Sequence, residues 1–370
     1  MLRIVCLAFF VLLAACGPRG TLTAMPPGVQ PTTVRTVFVG TTRTVDPDTG
    51  IFGGGRLRGE PNFARYDVSI PPDRELGDIT WPPEGGKPDA ATDFLTTNVV
   101  PLAGPSTFRA ELARSLAALP AAEREVTVFT HGFNNTFAES LYRVAQMSND
   151  LEFPGITVLY SWPSLGKTLG YVRDRDSVLY ARDGFEQLLN EVAAAGAQRI
   201  VIVGHSMGGA LTMETLRQMA IRGDRKVRPR IAGVLLLSPD LDVDVFHAQA
   251  ISIGKLPQPF VIFTSRRDRA LALAARLTGV RRERLGNLRD VSQVADLEVT
   301  VVDVAAFSTG SGHLVAATSP ALIRILSRIG DIDAAFGADR SGRAGLLPGF
   351  VLTFQSATSI ILTPIIGARQ

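Results

Sequence analysis

The chain has 370 residues, of which 46% are hydrophobic, so it can bury one large core with additions at both ends. Its formal net charge is only +3, and the basic clusters at residues 222–230 and 281–284 contain no interleaved aromatic residues. We interpret these clusters as solvated helix ends and loops, which excludes a nucleic-acid-binding surface and predicts no nucleic-acid partner.

The N-terminus has the pattern of a bacterial lipoprotein signal. Arg3 precedes an apolar run at residues 4–13, which is too short for a comfortable transmembrane helix, and a Leu-Ala-Ala-Cys sequence ends at Cys16. We predict that residues 1–15 are removed and that Cys16, the only cysteine of the mature chain, carries lipid such as palmitate. An ordinary secretory signal and an uncleaved anchor remain the alternatives.

The residues after Cys16 predict where in the cell the protein lies and a linker between the lipid and the folded body. Gly17 stands where an aspartate would favour retention in the inner membrane, so we expect a lipid-anchored protein of the cell envelope, in the outer membrane and facing the periplasm. Residues 17–31 are rich in Gly, Pro and Thr and have no apolar period. Residues 16–33 are therefore predicted to form a flexible tether.

The section after the tether predicts two strands, at residues 33–40 and 66–70, separated by Gly- and Pro-rich loops. It carries no chemical signal of its own. We expect it to supply extra strands and loops laid against the main sheet.

From residue 110 the chain alternates strands with helices. Strands are predicted at residues 126–130, 156–162, 200–203, 231–237, 260–263 and 297–302, and helices at residues 136–147 and 177–195. Such alternation favours a mostly parallel sheet with helices on both faces, within one domain at residues 34–330.

The clearest motif is Gly204-His205-Ser206-Met207-Gly208, which joins the apolar strand at residues 200–203 to a helical pattern. A glycine on each side allows a strained strand-to-helix turn, which exposes the central serine at the start of a helix. Ser206 is therefore the candidate nucleophile.

A serine nucleophile needs a base and an acid. Of the four histidines, His313 follows the last predicted strand, where a chain order of serine, acid, histidine would place the base. Asp268 follows the strand at residues 260–263 and is the preferred acid, while Asp240, after the preceding strand, is the alternative. We expect no metal and no cofactor.

Two backbone N–H groups are candidates for an oxyanion hole. Gly132 ends the strand at residues 126–130 and lets the backbone approach a substrate, so the N–H of Phe133 can act with that of Met207. We expect His131 to brace this loop.

Several stretches form a recognisable set. They are FTHGFNNTF at residues 129–137, SWPS at 161–164, Tyr171 with Asp174-Arg175-Asp176, GHSMG at 204–208, Ser238-Pro239-Asp240 and Asp268-Arg269-Ala270-Leu271. Together they resemble the bacterial α/β-hydrolases of the domain-of-unknown-function 900 group, over roughly residues 34–329. The resemblance implies an esterase- or lipase-like α/β-hydrolase fold with Ser206, Asp268 and His313 in the triad positions, but no particular substrate. In that fold residues 162–164 and Tyr171 would line the pocket, although packing explains Trp162 equally well.

The predicted function is hydrolysis of carboxylic esters, with a small-molecule ester or a lipid as substrate and the N-terminal lipid as the contact with the membrane. Acyl transfer and amide or thioester cleavage use the same triad, and a non-catalytic envelope lipoprotein on a hydrolase scaffold is a further alternative. The sequence does not determine the oligomeric state.

The tail at residues 331–370 contains an uncharged, strongly apolar segment at residues 346–366. A second membrane contact, a hairpin docked on the protein and a partner-binding segment are the three possibilities that its composition leaves open.

Overall fold

The computed structural model describes residues 19–277, 283–308, 312–327, 349–354 and 357–362. The predicted signal peptide and Cys16 lie outside the described residues. Of the helices within these ranges, none has both the length and the apolar character needed to cross a bilayer.

Eleven strands of the described ranges form one sheet, and two form a separate hairpin. The strands are β1 (Thr33–Thr41), β2 (Arg43–Val45), β3 (Phe52–Arg56), β4 (Asn62–Ile70), β5 (Leu95–Leu102), β6 (Glu125–Thr130), β7 (Ile156–Ser161), β8 (Arg199–His205), β9 (Ile231–Leu237), β10 (Phe260–Thr264), β11 (Thr300–Asp303), β12 (Gly349–Phe354) and β13 (Ala357–Leu362). The large sheet has the order β12-β13-β11-β10-β9-β8-β6-β7-β1-β4-β5. All pairs from β1–β7 across to β11–β13 are parallel, and only the two edges contain antiparallel pairs. The predicted mostly parallel sheet is confirmed.

Helices pack on both faces of this sheet. They are α1 (Pro105–Ala117), α2 (Phe137–Asp150), α3 (Tyr171–Ala194), α4 (Met207–Ile221), α5 (Val243–Ile253), α6 (Arg269–Leu277), α7 (Val315–Thr318) and α8 (Pro320–Leu326). In β8, Ile200 and Ile202 pack with α1, α3, α4 and α5, whereas Val203 faces α2. Because successive side chains of a strand point to opposite faces, the continuous apolar run of β8 fits a strand buried on both sides.

Helix α3 begins at Tyr171, six residues before the predicted start at Ser177. In its first two turns Tyr171, Val172, Arg175 and Asp176 line a cavity, and the polar members of this group interrupt the apolar period there. The pattern of apolar residues in the sequence therefore places the start of this helix too late.

The front section extends the sheet. Strands β1, β4 and β5 form one edge, with β1 parallel to β7. The sequence did not predict β5, whose central residues are exposed and which carries Pro101 near its end, as an edge strand can. The β2–β3 hairpin was not predicted either.

The described part of the predicted tether is packed on the protein. The backbone of Met25 donates to the carbonyl of Thr96, and the Arg19 guanidinium donates to the carbonyl of Asn134 and pairs with Glu139. The tether prediction for residues 16–33 is therefore wrong for residues 19–25, because backbone and side-chain hydrogen bonds tie them to the sheet edge and to α2.

The C-terminal segment also joins the sheet. Strands β12 and β13 form an antiparallel hairpin, and β13 lies parallel to β11. Ser359 and Ile360 are buried there. Of the three possibilities for the C-terminal segment, the docked hairpin is observed for residues 349–354 and 357–362, and the predicted domain boundary at residue 330 does not separate these strands from the sheet.

Candidate active site

Ser206 occupies the turn between β8 and α4 with φ 52° and ψ −119°. It is only 2% exposed, so the expectation that the turn exposes the serine is wrong: neighbouring loops cover it. A Cβ on Gly208 would lie 2.4 Å from the Thr130 carbonyl oxygen, and one on Gly204 would lie 2.8 Å from Oγ1 of Thr212. Both glycines are required by close packing, and the strained serine is held by its surroundings.

His313 and Asp268 form the hydrogen-bonded pair that the sequence predicted. Nδ1 of His313 lies 2.7 Å from Oδ2 of Asp268, whose side chain is buried. The second carboxylate oxygen accepts from the backbone N–H of Leu271 at 3.0 Å, in the first turn of α6. Both oxygens of Asp268 thus have partners that fix the plane of the carboxylate.

The same sheet edge brings this pair to the serine. Ser206 follows β8, Asp268 follows β10 and His313 follows β11, and parallel strands carry their carboxyl ends to one side. The ring centre of His313 lies 4.8 Å from that of His205, the residue next to Ser206 in the chain.

Asp240, the alternative acid, has other partners. The Tyr171 hydroxyl donates to its Oδ2 at 2.8 Å, and Nε of Arg284 lies 3.4 Å from its Oδ1. Burial raises the pKa of Asp240, and the positive charge of Arg284 opposes this rise. The geometry therefore favours Asp268 as the acid.

Arg284 corrects the interpretation of residues 281–284 as a solvated cluster. This residue is only 9% exposed and forms the ion pair with Asp240. The sequence does not distinguish Arg284 from its neighbours, because a run of charges does not reveal which member meets a buried carboxylate.

The loop after β6 lies against the nucleophile. A Cβ on Gly132 would come within 2.8 Å of Cβ of Ser206, so only glycine allows this approach. Phe133, the next residue, packs edge-on against Tyr171 with ring centres 5.2 Å apart. Met207 is the first residue of α4. The two predicted oxyanion donors therefore belong to residues adjoining Gly132 and Ser206.

His131 is fully buried beneath this loop. Its Nδ1 lies 2.9 Å from the Gly132 carbonyl oxygen, and its ring stacks on Trp162. Burial and the positive charge of Arg43 hold the pKa of His131 well below its usual range. The neutral ring supports the loop, as predicted.

The other two histidines have different surroundings. Burial, together with the nearby His313, holds the pKa of His205 well below its usual range. His247 lies on α5, where Nε2 is 2.7 Å from a carboxylate oxygen of Asp296. Among the residues that the structure describes, neither has a carboxylate partner at the edge where Ser206 lies.

A cavity of about 370 Å³ opens beside Met207. Its lining includes Tyr171, Arg175, Asp240 and Arg284 together with apolar side chains of α3 and α5. Tyr171 thus lines a pocket as expected. Trp162 instead is fully buried and donates from Nε1 to the His131 carbonyl, so packing is its role.

Within the described ranges, no group of three or more His, Cys, Asp or Glu side chains is arranged to hold a metal ion.

Comparison with known proteins gives a family match and distant structural similarity. The chain is similar to an acetylxylan esterase (13% identity, 58% of this chain and 97% of the other, TM-score 0.30). It is also similar to Thermogutta terrifontis esterase 2 (12%, 86% and 98%, TM-score 0.32) and to fungal esterases from Rhizomucor miehei (12%, 82% and 87%, TM-score 0.34). No curated protein matches significantly. The sequence model described as "Alpha/beta hydrolase of unknown function (DUF900)" matches residues 106–329, and the chain belongs to this α/β-hydrolase family.

Proposed function

We propose that the protein is a serine hydrolase that cleaves carboxylic esters through an acyl-enzyme on Ser206. The observation that carries the proposal is the 2.7 Å contact between His313 and a buried Asp268, beside a serine in the strained strand-to-helix turn. This combination supplies a base, its orienting carboxylate and a nucleophile at one sheet edge.

The proposed reaction follows from the hydrogen bonding of His313. In the neutral ring that donates its Nδ1–H to Asp268, Nε2 carries the lone pair that takes the Ser206 proton as the serine oxygen attacks the ester carbonyl. The N–H groups of Phe133 and Met207 stabilise the oxyanion, and the histidine then protonates the leaving alcohol. Water, activated by the same base, releases the acid from the serine.

The mechanism is tested by labelling the full-length protein with a fluorophosphonate probe. Wild type is expected to react and Ser206→Ala is not. Ser238→Ala is the matched control, since Ser238 is also buried, with φ 43°, at the end of the neighbouring strand β9. Equal labelling of wild type and Ser206→Ala would overturn the proposal.

We propose a small-molecule ester or a lipid as the substrate, bound in the cavity beside Met207. A panel of nitrophenyl esters of increasing chain length tests this, because the apolar part of the cavity limits the acyl or alcohol group that fits. No turnover across the panel, with probe labelling intact, would indicate acyl transfer or amide or thioester cleavage instead.

We propose further that lipid on Cys16 anchors the protein in the cell envelope, at the outer membrane facing the periplasm. Each buried methylene contributes about 0.8 kcal/mol, and two or more acyl chains give stable attachment. Arg19 bonds to Asn134 of the loop beside the site, and three extended residues span only about 10 Å. A lipid at Cys16 would therefore hold this edge close to the bilayer, which suits an enzyme acting on envelope lipids or small esters.

A further inference from the structure

Arg43, in the β2–β3 hairpin, is buried next to the loop that carries the proposed oxyanion donor. It is only 1% exposed and lies outside the segment that matches the family. Burial lowers its pKa to about 9, which leaves the guanidinium charged at neutral pH. A buried charge of this kind is costly unless every N–H finds an acceptor.

All five N–H groups of the Arg43 guanidinium have an acceptor. The acceptors are Oγ of Ser161 at 2.8 Å, the carbonyls of Gly53 and Ser164 at 3.0 Å, the carbonyl of Asn135 at 2.9 Å and Nε2 of His131 at 3.2 Å. Two of these groups, on His131 and Asn135, flank the Gly132–Phe133 peptide. A lysine has three donors on one atom and cannot reach acceptors spread around the planar fork.

The contacts of His131 determine which of its nitrogens carries the proton. Nδ1 faces the Gly132 carbonyl at 2.9 Å, and a carbonyl can only accept. Nε2 faces an N–H of Arg43, which can only donate, and the Ser161 hydroxyl lies 3.2 Å away. The carbonyl of Trp162 is also 3.1 Å from Nε2 and could accept from a proton there. That tautomer would, however, leave the lone pair of Nδ1 against the Gly132 carbonyl and an N–H of Arg43 against an N–H of the ring. The neutral ring with its proton on Nδ1 satisfies the donors and acceptors on both sides.

This tautomer fixes the direction of the next peptide. The Gly132 carbonyl accepts from His131 Nδ1–H and, at 3.3 Å, from Nδ2 of Asn135. In a trans peptide the carbonyl and the following N–H point in opposite directions, so holding the Gly132 oxygen also holds the Phe133 N–H.

The structure assigns to Arg43 a positioning role in the oxyanion hole: it holds His131 in the Nδ1–H tautomer, and the ring orients the peptide that presents the Phe133 N–H. This role rests on the proposed function, in which that N–H stabilises the oxyanion. Within the N-terminal hairpin, Arg43 alone is assigned this role.

Arg43→Lys tests the role, with Arg56→Lys as the matched control. Arg56 pairs with Arg43 across the same hairpin, but its guanidinium bonds to Ser177 and Arg173 on α3. We expect Arg43→Lys to lower kcat for a nitrophenyl ester by roughly 100-fold, the loss seen when an oxyanion donor is removed, with KM nearly unchanged. Arg56→Lys should leave both constants near wild type. A folded Arg43→Lys enzyme with wild-type kcat, or an equal loss in both variants, overturns the assignment.

Nitrogen NMR of the His131 ring in the wild-type protein gives a second readout, which does not require the lysine variant to fold. The ring is expected to remain neutral, with its proton on Nδ1, as the pH falls through about 6.5, where an ordinary histidine gains its second proton. A proton on Nε2, or ordinary titration near pH 6.5, overturns the assignment. Failure of the wild type to react with the fluorophosphonate overturns the proposed function, whereas a reactive wild type with a fully active Arg43→Lys variant overturns only the role of Arg43.

Discussion

Nδ1 of His313 lies 2.7 Å from Oδ2 of Asp268, although 45 positions separate the two residues in the chain. The contact joins the ends of β10 and β11, and the Leu271 N–H occupies the other oxygen of the carboxylate. Asp240, the rival carboxylate, is instead bound by Tyr171 and Arg284. Two buried acids near one serine thus have different partners and different expected roles.

Replacing each acid by asparagine separates these roles. Asp268→Asn should lower kcat by about ten-thousand-fold, because the amide no longer holds the histidine in the required tautomer. Asp240→Asn should lower kcat much less, since the partners of this side chain are Tyr171 and Arg284 in the cavity and not His313. Steady-state kinetics on one nitrophenyl ester measures kcat for both variants. A larger loss for Asp240→Asn would identify it as the acid.

Gly208 should be intolerant of substitution. An alanine Cβ there would lie 2.4 Å from the Thr130 carbonyl oxygen and 2.6 Å from that of His131, both of them backbone atoms. Gly208→Ala is expected to displace the turn, lowering both the melting temperature and the labelling of Ser206. Gly233→Ala is the control, because the nearest atom to its Cβ would be 3.5 Å away. This variant should keep the wild-type melting temperature and the labelling of Ser206. Normal labelling of Gly208→Ala would show that the turn does not depend on this packing.

Asp150 should stabilise the fold in a pH-dependent way. Burial alone would raise its pKa, but hydrogen bonds from Arg74, Gln146 and the Gly77 backbone hold the pKa below 3.8. A depressed pKa contributes stability that is present above pH 3.8 and is lost as the pH falls through the folded-state value. Asp150→Asn leaves the Arg74 side chain, which is only 6% exposed, without its charge partner and should lower the free energy of unfolding by about 3 kcal/mol at pH 7.

Urea unfolding at pH 7 and near pH 3 measures this dependence, and the difference between Asp150→Asn and wild type should shrink at the lower pH. Asp296→Asn is the control, because Asp296 is exposed and pairs with His247 on the surface. A difference independent of pH would mean that packing, not the ionised carboxylate, accounts for the effect.

Cys16→Ser tests the proposed anchor. The variant should move to the soluble fraction or remain unprocessed, because serine cannot take the lipid. Cys6→Ser is the matched control: Cys6 lies in the predicted signal and should not affect anchoring. Fractionation and intact mass of the purified protein give the result. Removal of the signal with the serine variant still membrane-bound would show that another part of the chain attaches it.

The sequence by itself determined the local parts of this protein. The apolar β-branched run of β8, the two glycines around Ser206 and the helical pattern after them specify a strand, a tight turn and a helix, because backbone conformation and apolar period act over a few residues. The alternation of strands and helices after residue 110 was sufficient to predict a mostly parallel sheet. Ser206, His313 and both candidate acids could be named from their positions after strands.

Only the tertiary structure decided between partners distant in the chain. It paired His313 with Asp268, buried Arg284 against Asp240 and placed Arg43 under the loop that follows β6. Residues 19–25 and the β12–β13 hairpin became parts of the folded body for the same reason. A buried charge or a buried backbone polar group is stable only when another segment supplies its hydrogen-bond partner, and the packing of the whole chain determines which segment lies there.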